Sequence, residues 1–397
     1  MRTRHTAAVV GLGHSRVMRR AEVPLGLLAV EAVRAAADDA GIEVSAIDGV
    51  AATLGNALGI QPGMVDGREY ISAEFLTGAL GLRPRWGTNN THMVGNAFAD
   101  AVYAVEAGAC QFAVVVRAMH NPAGKYGHTT RTEAVGSAQF AEPYGWFTPA
   151  LFAHSWHRYQ DKYGSGSREQ MATFVVQARE NGLLNPDSYW RQHRPERLTV
   201  DEYLGARMVS TPLSIYDCDL PVQGAAAFLL TTQERARDLG RPVAYVLGVA
   251  SPQPAHDANE TLLLLDEEEE AARHVAALLW TDSGLSPADV DLANLYDGFS
   301  FVAFEWLEGM GLAPRGEGFE FVQDGRARRT GELPLNTGGG NLGAGRMHGV
   351  PHLMDSARQV MGRGGEAQVD GVHIALAAVG PPSLGAAFLF GSQPLSS

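Results

Sequence analysis

Arg346 and His348 stand just past a glycine run, Gly338-Gly339-Gly340, whose bare backbone can approach a ligand closely. An imidazole there could donate to a carbonyl oxygen or accept a proton. The other reading of His348 is a solvent- or backbone-bonded histidine. A guanidinium there could bind a carboxylate or a phosphate. His92 opens a helix, where the dipole disfavours the imidazolium, so it would act as a neutral acceptor or base. Its alternative is a solvent-exposed residue at a helix start. The two cysteines, Cys110 and Cys218, form no CxxC pair, which excludes a zinc framework and a disulfide scaffold. Cys110 falls at a helix–strand junction and reads as a packed core thiol. Cys218 falls in a loop and reads as structural. Gly338–Gly340 is no phosphate loop, because the Lys-Ser/Thr that must follow is missing, and no GxGxxG fingerprint follows the first strand.

The chain has 397 residues, 45% of them hydrophobic, enough for two domains or one large duplicated one. No apolar run reaches the roughly 18 residues of a membrane span, and the apolar stretch near the N-terminus is too short for a signal region. A net charge of −13 argues against a nucleic-acid partner. The acidic run Asp266–Glu270 reads as the start of a helix rather than a metal site.

Buried strands are expected at Ala7–Leu12, Phe112–Ala118, Ala225–Thr231, Val243–Val249, Val290–Tyr296, Ile374–Val379 and Ala386–Phe390. Helices are expected at Leu27–Ala40, Gly95–Ala107, Arg168–Asn181, Glu269–Trp280, Phe301–Met310 and Val350–Met361. The alternation gives an α/β fold. Two segments recur. Gly41 and then Asp48 before a strand are echoed by Gly284 and then Asp291 before a strand. Thr88–Thr91 before a helix and strand is echoed by Asn336–Gly340 before a helix and strand. Two echoes in one order suggest a duplicated half of about 200 residues. The boundaries read as an N-terminal half over 1–118 and 208–240, an inserted region over 119–207, and a C-terminal half over 241–397. The stretch from His120 to Trp156 holds Tyr126, His128, Tyr144, Trp146 and His154. It reads either as the lining of a flat apolar pocket or as interface packing.

Four blocks in order resemble the thiolase superfamily, most of all its sterol-carrier-protein-type or lipid-transfer-protein group. Tyr296-Asp297-Gly298-Phe299 sits where thiolases carry Asn-Glu-Ala-Phe or His-Asp-x-Phe. Asn336–Leu342 resembles the loop that leads to the family's Gly-His-Pro, and Ala377–Pro382 sits at the second cysteine loop. Cys218–Ala227 fits the mid-chain loop before an Ala-rich strand. The resemblance implies a thiolase fold with duplicated αβαβα layered halves. The nucleophilic cysteine of thiolases matches His92, the second cysteine matches Ala378, and the Gly-His-Pro histidine matches Arg346 by spacing, so an acyl-enzyme is not expected.

The block Tyr296-Asp297-Gly298-Phe299 is similar to that of the cysteine-less steroid side-chain aldolases of this family. The resemblance therefore implies a carbon–carbon lyase that cleaves a bulky β-hydroxyacyl-CoA, with Tyr296 as base. A tyrosine titrates near pH 10 and needs nearby cations or donors to act at neutrality; the other reading is a strand-end tyrosine in the core. Asp297 reads as a buried cap of the next helix. Those aldolases carry a second tyrosine about where Arg346 stands. Asn336, Gly339, Gly340 and Gly380 are the implied substrate-binding residues. The implied partners are the acyl-CoA substrate, a second copy of the chain packed through the strand and helix near Phe112 and Gly95, and a small OB-fold/zinc-ribbon protein. No further cofactor is expected, and the setting is cytoplasmic. A cysteine-independent acyltransferase or condensing enzyme using His92, and a non-catalytic lipid-binding or scaffold subunit, are the alternatives.

Overall fold

The computed structural model describes residues 5–20, 22–54, 63–90, 93–121, 148–252 and 265–395. The N-terminal elements are β1 (Ala7–His14), α1 (Leu25–Ala40), β2 (Gly49–Thr53), α2 (Ala73–Leu80), β3 (Trp86–Asn90), α3 (Val94–Glu106) and β4 (Ala113–Met119). Then come α4 (Thr148–Tyr163), α5 (Arg168–Gly182), α6 (Tyr189–His193), α7 (Val200–Leu204), β5 (Met208–Ser210) and β6 (Leu213–Ser214), followed by β7 (Gly224–Thr232) and α8 (Gln233–Asp238). The C-terminal elements are β8 (Ala244–Ala250), α9 (Leu265–Ser283), β9 (Leu292–Leu295), α10 (Val302–Gly309), α11 (Gly318–Gln323), α12 (Gly340–Ala344), α13 (Val350–Val360), β10 (Ile374–Val379) and β11 (Ala386–Gly391).

Nine strands lie in the order β3-β2-β4-β7-β1-β8-β11-β10-β9. Four strands on each side mirror one another about a short β1–β8 seam, which is only two residue pairs long, and β3 is the unmatched ninth. On either side a parallel pair (β2 with β4, β9 with β10) is followed by antiparallel neighbours. Both halves are pinned alike. Asp48 precedes β2 and accepts from the amides of Gln111 and Phe112 at 2.7 and 2.9 Å. Asp291 precedes β9 and accepts from those of His373 and Ile374, both at 2.8 Å. Gly41 and Gly284 end the preceding helices in the left-handed conformation, at φ of 72° and 70°. Leu335 bridges Ala293 in parallel, as Gly87 of β3 pairs Val50 of β2, so Asn336 occupies the place that Thr88 holds in the first half. Both sequence echoes are thus structural equivalences.

The two-residue period of the strands builds the layers. Ala225, Ala227 and Leu229 of β7 pack with α1, while Ala226, Phe228 and Leu230 pack with α3. Ala375, Ala377 and Val379 of β10 face α3 and α13 from the other side. Leu376 and Ala378 face α9 and α10. Helices α3 and α13 therefore form a middle layer between the two halves of the sheet, giving the αβαβα sandwich of the thiolase fold. The intervening helices α4 and α5 bury Trp156, Tyr159 and Phe174 in the same core as Phe301, Phe304 and Phe319 of the C-terminal half.

Two expectations need correction here. The strand near Phe112, through which a second copy was expected to pack, is β4, and it sits inside the sheet, bonded to β2 and β7 of its own chain, so its apolar Val114–Val116 is covered there; β3 is the edge on this side. The chain's own fold accounts for that apolarity without a mate. Trp156 is fully buried and donates to the Gly166 carbonyl at 2.7 Å, so it is core rather than pocket lining. Tyr126, His128, Tyr144 and Trp146 lie outside the described residues. The run Asp266–Glu270 does begin helix α9. Among the described residues no cluster of side chains suits a metal ion, and no helix is long and apolar enough to cross a membrane.

Candidate active site

Three loops meet beyond the carboxyl ends of β4, β9 and β10, where open α/β sheets place their ligands. The first follows β9. Asn336 stands at φ 47°, which asparagine tolerates better than most residues. Its side chain takes the place of a sheet neighbour. It accepts from the Leu295 amide at 2.7 Å and donates to the Leu295 carbonyl at 2.9 Å and to Asp297 at 3.1 Å. Asp297 is fully buried and also accepts from the Asn341 amide at 2.6 Å and from His352 Nε2 at 3.0 Å. It is structural as expected, but the turn it holds is α12, not the following helix α10, whose N-terminus has no side-chain cap.

This clamp fixes Tyr296. Its ring centroid lies 5.7 Å from that of His352. Its hydroxyl lies over Gly298, so close that a Cβ on that glycine would sit 2.6 Å from the Oη. The glycine of the Tyr-Asp-Gly-Phe block is the room that the phenol occupies.

The mid-chain loop closes the second side. The Asp219 amide donates to the Gly298 carbonyl at 3.1 Å and the Arg346 amide to the Leu220 carbonyl at 2.8 Å. Asp219 carboxylate lies 3.9 Å from Arg346 Nε. The third loop carries His348, buried and at φ 48°. Arg346 Nε donates to His348 Nε2 at 2.8 Å, and Arg117 Nη2, from β4, faces His348 Nδ1 at 2.8 Å.

The electrostatics follow from burial. Desolvation, then the Arg346 and Arg117 charges, hold the His348 imidazole well below its usual range, so it is neutral. Burial and then Asp219 push the Tyr296 phenol up, while Arg346 and Arg117 pull it down; burial prevails, and the resting residue is a phenol. Burial, then Arg346, pushes Arg117 down to about 9. The cations that a tyrosine base requires are present, yet they do not ionise it.

Of the residues singled out in the sequence, Tyr296, Arg346 and His348 come together. His92 lies outside the described residues. Gly339 and Gly340 are pressed against protein. A side chain at Gly339 would meet the Gly182 backbone of α5, and one at Gly340 would meet the Asp297 carboxylate. Their close approach is to α5 and Asp297, which corrects the reason given for the glycine run. Gly380 stands at φ 84°, and its carbonyl accepts from Trp306 Nε1 at 2.8 Å. Neither thiol is poised to attack: burial pushes Cys110 up to about 12 and also raises Cys218. Cys110 precedes β4, at the opposite end of that strand from Arg117. Sequence reasoning missed Arg117 and Asp219. The signal for Arg117 was a lone charge inside the otherwise apolar run Ala113–Met119.

Comparison with known proteins places this geometry. Residues 255–382 match the family model described as "Thiolase C-terminal domain-like". A "steroid side-chain-cleaving aldolase" of Thermomonospora curvata is 29% identical over 370 residues, 90% of each chain. A "17-hydroxy-3-oxo-4-pregnene-20-carboxyl-CoA lyase" of Mycobacterium tuberculosis is 31% identical over 372 residues, 90% of this chain and 92% of that one. The solved structure of an "Ltp2-ChsH2(DUF35) aldolase" superposes with a TM-score of 0.82 at 27% identity, covering 97% of both chains. An acetyl-CoA acetyltransferase from Syntrophomonas wolfei, at 14% identity and a TM-score of 0.69, shares the fold. On these grounds the chain belongs to the thiolase-like family, close to its side-chain-cleaving aldolases, and is an enzyme of their carbon–carbon lyase class.

Proposed function

We propose that this protein cleaves the Cα–Cβ bond of a β-hydroxyacyl-CoA with a bulky apolar body by a retro-aldol step, without an acyl-enzyme. One observation carries the proposal: a buried phenol, Tyr296, is clamped at the end of β9 beside His348 and two guanidinium groups, while both thiols are held protonated.

The step needs a proton removed from the β-hydroxyl and a proton delivered to the α-carbon. A resting phenol can do both. Its oxygen takes the hydroxyl proton as its own proton passes to the α-carbon. The electrons of the O–H bond form the new carbonyl, and those of the broken Cα–Cβ bond form the thioester enolate that is protonated. A ketone and a shortened acyl-CoA leave, and the phenol is regenerated. Neutral His348 and the guanidiniums face the developing oxyanion, where preorganised donors lower the barrier.

Similarity to the two-protein aldolase supports a DUF35-type partner that contributes binding surface for the acyl-CoA. The same reading makes the protein a cytoplasmic homodimer that uses no cofactor beyond the CoA of its substrate. The test is mass spectrometry after incubation with a panel of β-hydroxyacyl-CoAs, with and without such a partner. The expected result is a ketone plus a shortened acyl-CoA and an unchanged protein mass. An acylated protein, or transfer of the intact acyl group, refutes the proposal.

A further inference from the structure

We propose that Arg117 is the receptor for the thioester enolate oxygen, a catalytic residue for the lyase reaction; this rests on the reading of the site as a CoA-thioester lyase. Arg117 is fully buried near the C-terminal end of β4. Its Nε and Nη1 have no hydrogen-bond partner among the described residues. A buried guanidinium with two idle nitrogens is costly, because a charge removed from water must be met by a partner. Its polar neighbour, His348, cannot satisfy it fully. A neutral imidazole offers one acceptor nitrogen, yet its Nδ1 faces Arg117 and its Nε2 faces Arg346. One of the two contacts therefore sets a donor against a donor. A negatively charged oxygen arriving in the site relieves that conflict by drawing one guanidinium toward itself.

Arg117 is the one to move. Arg346 has Asp219 at 3.9 Å to balance its charge, whereas among the described residues no carboxylate is paired with Arg117. Thr53, which pairs with Arg117 across β2 and β4, presents a further buried polar atom with no partner among the described residues, its Oγ1, on the same sheet face. That face looks onto the middle layer from which His348 enters, since Ala51 and Val115 on it pack with α3 and α13. The Arg117 charge is also close enough to act on Tyr296. An unbalanced cation beside the proton-transferring group belongs where charge develops rather than where a substrate is merely held.

The test uses two stable CoA analogues in which a methylene replaces the thioester sulfur, carboxymethyldethia-CoA, whose carboxylate carbon takes the place of the thioester carbon, and the matching primary amide. The first places an anionic oxygen where the enolate oxygen would form; the second is its neutral counterpart. Binding is measured by calorimetry on the full chain, with any partner it requires. The native protein should prefer the carboxylate by about tenfold to a hundredfold. Arg117→Met should abolish that preference while still binding the neutral analogue, and Arg117→Lys should restore part of it. Arg117→Met should also melt no lower than native, since it removes an unpaired buried charge. Equal binding of the two analogues by the native protein overturns the assignment and leaves the lyase reading intact. A preference that survives in Arg117→Met moves the role to Arg346 and equally overturns it. Failure to bind either analogue overturns the lyase reading and this inference with it.

Discussion

Adding a single methyl group at Gly298 should disable the site without touching any group that does chemistry. The Cβ of Gly298→Ala would lie 2.6 Å from Tyr296 Oη and 2.8 Å from Cε1 and Cζ. Ordinary contact begins at 3.4 Å, so the phenol must retreat by about 0.8 Å. Gly298 is not in the left-handed region, so alanine meets no backbone strain there and the effect is one of contact alone. The ring is 5% exposed and packed against His352 and the Asp297 clamp, which leaves it little room. Overpacking of this kind costs about 1–3 kcal/mol of stability. A displacement approaching 1 Å of a reacting group costs up to ~100-fold in rate, so kcat should fall about tenfold to a hundredfold. The assay is steady-state cleavage of a β-hydroxyacyl-CoA, with thermal melting in parallel. Tyr296→Phe removes the atom in closest contact. Combining it with Gly298→Ala should therefore give a rate loss well below the product of the two single losses. Gly298→Ala at native kcat, or a fully multiplicative double variant, would show that the phenol does not act from the position observed.

Three further outcomes follow from the same geometry. The double variant Cys110→Ala, Cys218→Ala should keep most of the native turnover, because neither thiol is ionised or free to attack; a covalent acyl adduct trapped on either sulfur would contradict this. Burial lowers His5, but its bonds to Asp282 at 2.7 Å and Glu106 at 3.1 Å raise it to about 9, and they tie α3 of one half to α9 of the other. With the folded value above the unfolded 6.5, this contribution is complete below about pH 6.5 and is lost as pH rises through 9. It amounts to roughly 3 kcal/mol, and His5→Gln should flatten the melting temperature over that range; parallel curves for the two proteins would refute it. Gly182→Ala should destabilise the protein by several kcal/mol, since its Cβ would lie 1.9 Å from the Gly343 carbonyl oxygen; a melting curve matching native would mean that α5 and α12 do not touch as described.

The strands that form the core were legible because burial on both faces demands continuous apolar runs; β4, β7, β10 and β11 all show them. β3 was missed for the opposite reason. It is an edge strand, Trp-Gly-Thr-Asn-Asn, whose residues are only partly buried or exposed and carry no apolar pattern. α12 was missed because five glycine-rich residues show no helical period. The duplication was readable from Asp48 and Asp291, since each performs the same pinning of a strand start. Tyr296, Arg346 and His348 were found through local motifs. Arg117 was not: its lone charge in an apolar strand was the local signal, but the partner that gives it a place in the site lies 231 residues away. The glycine run was recognised as special, but only the fold shows that it makes room for α5 and Asp297.

The central claim is that the Tyr296 hydroxyl carries the proton during carbon–carbon cleavage. Tyr296→Phe keeps the ring and its packing, so stability should change by about 1 kcal/mol or less. The direct measurement is single-turnover cleavage by this variant, followed by mass spectrometry of the released ketone and shortened acyl-CoA. The expected rate is at least about a hundredfold below native. Cleavage at the native rate by a folded Tyr296→Phe protein would contradict the claim and take the proton transfer away from this residue.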